Sequence, residues 1–196
     1  MAAKHWVIAL VVALSGFGLG RIIAPQTDTA TLASEVINFE LVDTEGNLVT
    51  PNDWRGSAAL VFFGYTHCPD VCPTSLADMR MVKQALSDQD ASRFKGVFIT
   101  IDPARDTPKQ LKRYVHHFDP RFLALSGSES QLQTAAQTLG AVFSRGDDLE
   151  GGGYLMNHSA FGHLLAPDGQ VAAVFPVDAP LNDVIEGVRA ALRVPH

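Results

Sequence analysis

The run AALVFFGY at residues 58–65 carries no charge and does not alternate apolar with polar side chains. A strand with one wet face alternates. A continuous apolar run suits a strand covered on both faces, as in a parallel sheet flanked by helices. KGVFITI at 95–101 reads as a second strand of this kind. After the first run, residues 74–86 place Leu76, Met79, Val82 and Leu86 on one helical stripe. Pro73 fits the first turn of that helix, where a missing N–H does no harm. Thr107 followed by Pro108 opens a second helix over 107–118. Residues 122–125 read as a short strand, and 128–139 as a helix closed by Gly140. Hairpins are expected at 37–49, turning at Glu45, Gly46 and Asn47, and at 161–175, turning at Pro167, Asp168 and Gly169. Residues 181–192 read as a closing helix.

The only two cysteines, Cys68 and Cys72, fall between the first apolar run and its helix. With strands alternating with helices, this is the layout of an α/β, thioredoxin-like fold. Its central mixed sheet is flanked by helices and preceded by an N-terminal hairpin.

The 196 residues suffice for one domain with a real core. The formal net charge of −6 and the lack of a basic run argue against a nucleic-acid partner. Residues 6–24 are mostly apolar and carry no charge save Arg21, which can extend its guanidinium to the interface. We expect an uncleaved transmembrane anchor over 1–24, a linker over 25–34 and the folded domain over 35–196. No small-x-small cleavage site follows the apolar run, and no cysteine is there for a lipid. Lys4 precedes the span, whereas Asp28, Glu35 and Glu40 follow it. The expected placement is a single-pass protein of the bacterial inner membrane with its domain facing the periplasm.

A helix start offers unpaired N–H groups and a partial positive charge, which favour thiolates. On that ground Cys68 and Cys72 are expected to have lowered pKa values, as a metal ligand or redox nucleophile requires. A thioredoxin-type exchange pair has two intervening residues, and here there are three. A permanent disulfide would close too small a loop to stabilise much. A zinc site wants four ligands. Two thiolates with one imidazole make a soft, three-coordinate set that suits Cu(I), or Cu(II) with an added weak ligand. Spacing leaves the imidazole undecided between His158 and His163. His67 abuts Cys68, but adjacent side chains diverge in an extended chain. His116 and His117 read as helix-end residues.

Four segments bring a resemblance to the Sco (SenC) family of copper-binding proteins over roughly residues 35–192. They are FGYTHCPDVCPT at 63–74, IDPARDTP at 101–108, the weaker LSG at 125–127, and YLMNHS at 154–159 with LAPDG at 165–169. The resemblance implies a thioredoxin-like fold, a single N-terminal anchor and one copper ion bound by Cys68, Cys72 and His158. Asn157 stands where the family commonly has Asp beside that histidine, and an amide raises imidazole basicity less than a carboxylate does. Asp102 and Asp106 are implied to lie near the site, against a plain reading as turn and cap residues. The implied role is assembly of cytochrome c oxidase. As a copper metallochaperone, not an enzyme, the protein would serve the binuclear copper (CuA) site of the oxidase's second subunit. The alternative is a thiol-disulfide oxidoreductase that uses Cys68 and Cys72 as a redox-active pair to keep that subunit's cysteines reduced. A redox sensor is a third. A periplasmic copper donor and a thiol reductant are the further partners implied.

Overall fold

The computed structural model describes residues 37–194. The expected anchor at 1–24 and linker at 25–34 lie outside these residues. Among the described residues, no helix is long and apolar enough to cross a membrane.

The first apolar run forms β3, Ala58–Gly64, with every residue buried. The second forms β4, Phe94–Thr100, parallel to it and in register from Ala58 opposite Phe94 to Gly64 opposite Thr100. β5, Leu123–Ser126, extends the parallel core on the far side of β4. The N-terminal hairpin, β1 (Leu41–Asp43) and β2 (Leu48–Val49), adds antiparallel strands beyond β5. The C-terminal hairpin, β8 (Phe161–Leu165) and β9 (Val171–Pro176), adds them beyond β3. The sheet order is therefore β2-β1-β5-β4-β3-β8-β9. This mixed sheet, flanked by helices, is consistent with the thioredoxin-like layout expected.

The helices follow their stripes and caps. α1, Val71–Ala85, buries Leu76, Met79 and Val82, and packs against α3 (Pro108–Phe118) and α5 (Leu181–Leu192). It begins three residues before the 74–86 read from the sequence, so Cys72 sits in its first turn. Thr107 caps α3 by accepting the Gln110 N–H. Ser128 and Gln131 form a capping box on α4, Glu129–Thr138. A short α2, Asp88–Ser92, capped by Ser87, leads into β4. It escaped the sequence reading because one turn leaves no periodic stripe.

A second omission is larger. β6, Phe143–Asp148, and β7, Tyr154–His158, pair as a separate antiparallel ribbon, with Phe143 opposite His158. Along β7, Tyr154, Met156 and His158 turn inward, and Leu155 and Asn157 face solvent. A clamp holds this ribbon to the end of β4. The Asp102 carboxylate, 3% exposed, pairs with Arg105 Nε and accepts the Tyr154 hydroxyl at 2.8 Å. Arg105 Nη1 donates to the Tyr154 carbonyl at 2.8 Å, and its guanidinium stacks 3.5 Å over the Tyr154 ring.

Replacing Arg105 by Ala leaves the buried Asp102 carboxylate uncompensated, at a cost of about 3 kcal/mol. We expect hydrogen exchange to quicken first at the β6–β7 amides, and opening confined to other elements would disprove the clamp. His163 gives a second prediction. It lies 2% exposed on β8, edge-on to the Phe63 ring at 6.1 Å, and neither ring nitrogen has a partner among the described residues. Burial pushes its pKa below the ordinary value. The unfolded chain therefore takes up a proton before the folded one does. Stability is full above about pH 6.5 and falls as the pH drops below it. Melting temperatures of wild type and His163→Leu from pH 7.5 to 5 should diverge, with the variant flatter; parallel curves would refute this.

Candidate metal centre

β3 ends at Gly64, and the chain then turns through Tyr65, Thr66 and His67 before α1. The Cys68 N–H donates to the Tyr65 carbonyl, closing the turn. Asp106 holds the turn in place. Its carboxylate, 1% exposed, accepts the Thr66 N–H, the Thr66 hydroxyl at 2.6 Å and the Thr100 hydroxyl at 2.6 Å. The loop that carries Cys68 is thereby tied to the end of β4.

Cys72, in the first turn of α1, is fully buried, and Cys68 is half-buried. Gly64 makes room for Cys72. A Cβ at position 64 would lie 2.7 Å from Cys72 Sγ and 2.8 Å from the Phe98 ring, closer than such atoms approach. The ribbon brings in the third group. The half-buried His158 stands edge-on to both Phe62 and Tyr65, at 6.1 Å from each ring. Its Nε2 lies 4.0 Å from Cys72 Sγ. The ligand atoms of Cys68, Cys72 and His158 all lie within 4.8 Å of one another.

His158 is set up to offer Nε2. Its Nδ1 lies 3.1 Å from the Ser159 carbonyl, an acceptor only, so Nδ1 carries the proton and donates. Nε2 then bears the lone pair toward the cysteines. Burial lowers the His158 pKa, which favours the neutral ring a metal needs, and the Ser159 bond opposes this more weakly. Asn157 plays no part in orienting the ring. It points away, against Gly146 on β6.

The expected lowering of both thiol pKa values fails for Cys72. Burial pushes this thiol up, and the nearby Cys68 and Asp106 push the same way. Desolvation in the core outweighs the Tyr65 backbone hydrogen bond, which pulls the other way. A metal binding there has to displace a thiol proton that burial holds more tightly than usual.

His163 does not reach this group. It lies on β8 of the main sheet, whereas His158 lies on the separate ribbon. Asp102 and Asp106 are not among the clustered ligand atoms either. Asp106 holds the Cys68 loop, and Asp102 holds the ribbon that carries His158. Sequence reasoning missed Gly64, Arg105, Tyr154 and the Ser159 carbonyl. Only Gly64 left a trace, as the glycine ending an apolar strand just before the cysteine segment.

Two thiol sulfurs and one imidazole nitrogen, partly shielded from water, form a soft donor set with a vacancy relative to tetrahedral zinc sites. The comparisons with known proteins agree with this chemistry. The SCO1/SenC family profile matches residues 27–193. A SCO2-like protein of Rickettsia felis is 36% identical over 151 residues, which is 76% of this chain and 73% of the relative. The structure of Bradyrhizobium japonicum ScoI with copper bound superposes with a TM-score of 0.70 at 34% identity, over 79% of this chain and 97% of that one. BsSco, described as a member of the Sco family of cytochrome c oxidase assembly proteins with a disulfide switch, gives a TM-score of 0.64 at 26% identity, over 82% of this chain and 94% of that one. A sequence match across most of the chain, and a shared fold around the cysteine–histidine cluster, place the protein in the SCO1/SenC family.

Proposed function

We propose that this protein binds one copper ion through Cys68, Cys72 and His158 and passes it to the binuclear copper site of a cytochrome c oxidase subunit. The observation that carries this reading is His158. Its Nε2 stands 4.0 Å from Cys72 Sγ, with Nδ1 already committed to the Ser159 carbonyl. Thiol exchange can proceed with two thiols alone, whereas a three-coordinate copper site needs the third donor that His158 brings to the group. Three soft ligands hold Cu(I) well and leave it open to attack by a fourth, as cargo requires. On this reading the apolar segment at 6–24 anchors the chain in the bacterial inner membrane, and the domain works in the periplasm. A copper donor and a thiol reductant would supply it there. The support for that placement is the charge pattern around the segment.

The unequal burial of the two cysteines favours a second use of the same pair. Cys68, half-buried, is the less shielded sulfur, and Cys72 is fully buried. The Cys68 thiolate would attack a client disulfide, releasing one client thiolate. Cys72 would then attack Cys68, releasing the second client thiol and leaving a Cys68–Cys72 disulfide. The client is reduced, this protein is oxidised, and a thiol reductant restores it.

Copper binding by the full chain beside His158→Ala separates these readings. We expect one copper per chain, and a loss on the order of a hundred-fold in affinity for the variant, equivalent to about 2.8 kcal/mol. His163→Ala should bind as wild type does. Unchanged affinity in His158→Ala, with rapid disulfide exchange, would make reduction the main role. Absence of tight one-to-one binding would defeat the copper reading. Gly64→Ala forces Cys72 Sγ and Phe98 apart, an overpacking cost of about 1–3 kcal/mol. It should lower both melting temperature and copper affinity, and a change in the first alone would show that the sulfur's position is unimportant.

A further inference from the structure

We propose that His67 is the first protein ligand met by an arriving copper ion, which it then yields to Cys68 and the buried group. This rests on the copper reading above. Of the three clustered ligands, Cys72 is fully buried and His158 is half-buried between aromatic rings. Cys68 is likewise half-buried, so of the four donors His67 is the most open to copper presented from outside. His67 precedes Cys68 directly, and its side chain is 43% exposed.

The hydrogen bonds around it assign its tautomer. The Thr66 hydroxyl has one proton, which it donates to Asp106 at 2.6 Å. Toward His67 Nδ1, 3.2 Å away, the Thr66 oxygen can only accept. Nδ1 therefore carries the hydrogen in the neutral ring. The Asp106 carboxylate, 3.6 Å from Nδ1, favours the same arrangement. The lone pair is left on Nε2, for which no hydrogen-bond partner occurs among the described residues. A backbone carbonyl assigns the same tautomer to His158. An imidazole with Nδ1 tied back and Nε2 free is the usual state of a metal-ligating histidine. His67 lies outside the compact three-ligand group, so it serves in arrival and not in the final set.

The transfer balances without redox change. A donor–copper bond breaks as Nε2 binds Cu(I). That bond breaks in turn as Cys68 Sγ binds, and the Cys68 thiol proton leaves to solvent. Cys72 then binds, its own thiol proton leaving to solvent, and His158 completes the set as the last donor–copper bond breaks.

Stopped-flow loading of the full chain from a Cu(I)–bicinchoninate complex tests this. We expect His67→Ala to load about ten-fold more slowly, a barrier change of about 1.4 kcal/mol. Its final stoichiometry, affinity and melting temperature should match wild type. His67→Asn can still donate to Thr66 but lacks Nε2. It should stay slow, whereas His67→Met, which offers a soft sulfur, should recover the rate. Wild-type loading rates in His67→Ala would overturn the proposal, and so would full rescue by His67→Asn, which would mark a merely structural bond. An affinity loss as large as the rate loss would make His67 a resident ligand and equally overturn it. Failure of wild type to bind copper would remove the copper reading together with this one.

Discussion

A buried carboxylate survives only where donors replace the water it has lost. Asp106 has those donors, and the working end of the molecule is arranged around them. Thr100 reaches it from the end of β4, and Thr66 reaches it twice from the turn after β3. Two parallel strands are thus joined at their carboxyl ends, beyond the last ladder bond. The turn between β3 and α1 takes one shape, and Cys68 rides on it. The same bonds fix the hydroxyl of Thr66, and through it the tautomer of His67. The carboxylate also lends negative charge to the neighbourhood of Cys72, which discourages a free thiolate and favours a bound cation.

Much of this architecture is legible in the chain, and the legible parts share a cause. β3 and β4 are buried on both faces, so their side chains have one requirement, to be apolar, and the sequence displays it without ambiguity. The helix stripe at Leu76, Met79 and Val82 and the caps at Thr107 and Ser128 are likewise local rules acting on local residues. The ribbon β6–β7 obeys no such rule. FSRGDD has little apolar character, and the ribbon is held by Arg105 and Asp102, some forty or more residues away in the chain. Long-range polar bonds leave no periodicity to read.

The site divides in the same way. The pairing of Cys68 with Cys72 is evident from spacing, because both belong to one turn and the helix it opens. The choice of His158 over His163 is not, because it depends on where the ribbon is clamped. His163 lies on the strand that pairs with β3 and points into the core, where Phe63 receives it. His158 lies on the ribbon, beside rings from Phe62 and Tyr65. Only the resemblance to a family selected between them. The expectation about thiol acidity failed for a related reason. The helix end that should stabilise a thiolate was visible in the sequence, whereas the depth at which Gly64 and Phe98 enclose Cys72 Sγ was not.

These features give the site an inner and an outer side. Cys72 and His158 form the inner side, held by the core, by a glycine that cannot be enlarged, and by a clamped ribbon. Cys68 and His67 form the outer side, held by a turn, with His67 exposed and Cys68 half-buried. Rigid inner ligands give a stable resting place, since little ordering entropy is lost when they bind. Accessible outer ligands give a path on which each bond formed can release one broken. A fully buried set would bind copper and not surrender it in useful time. A fully exposed pair of thiols would exchange freely and oxidise. The chain separates the two demands by placing its paired cysteines on opposite sides of one helix start, one in the turn before it and one in its first turn.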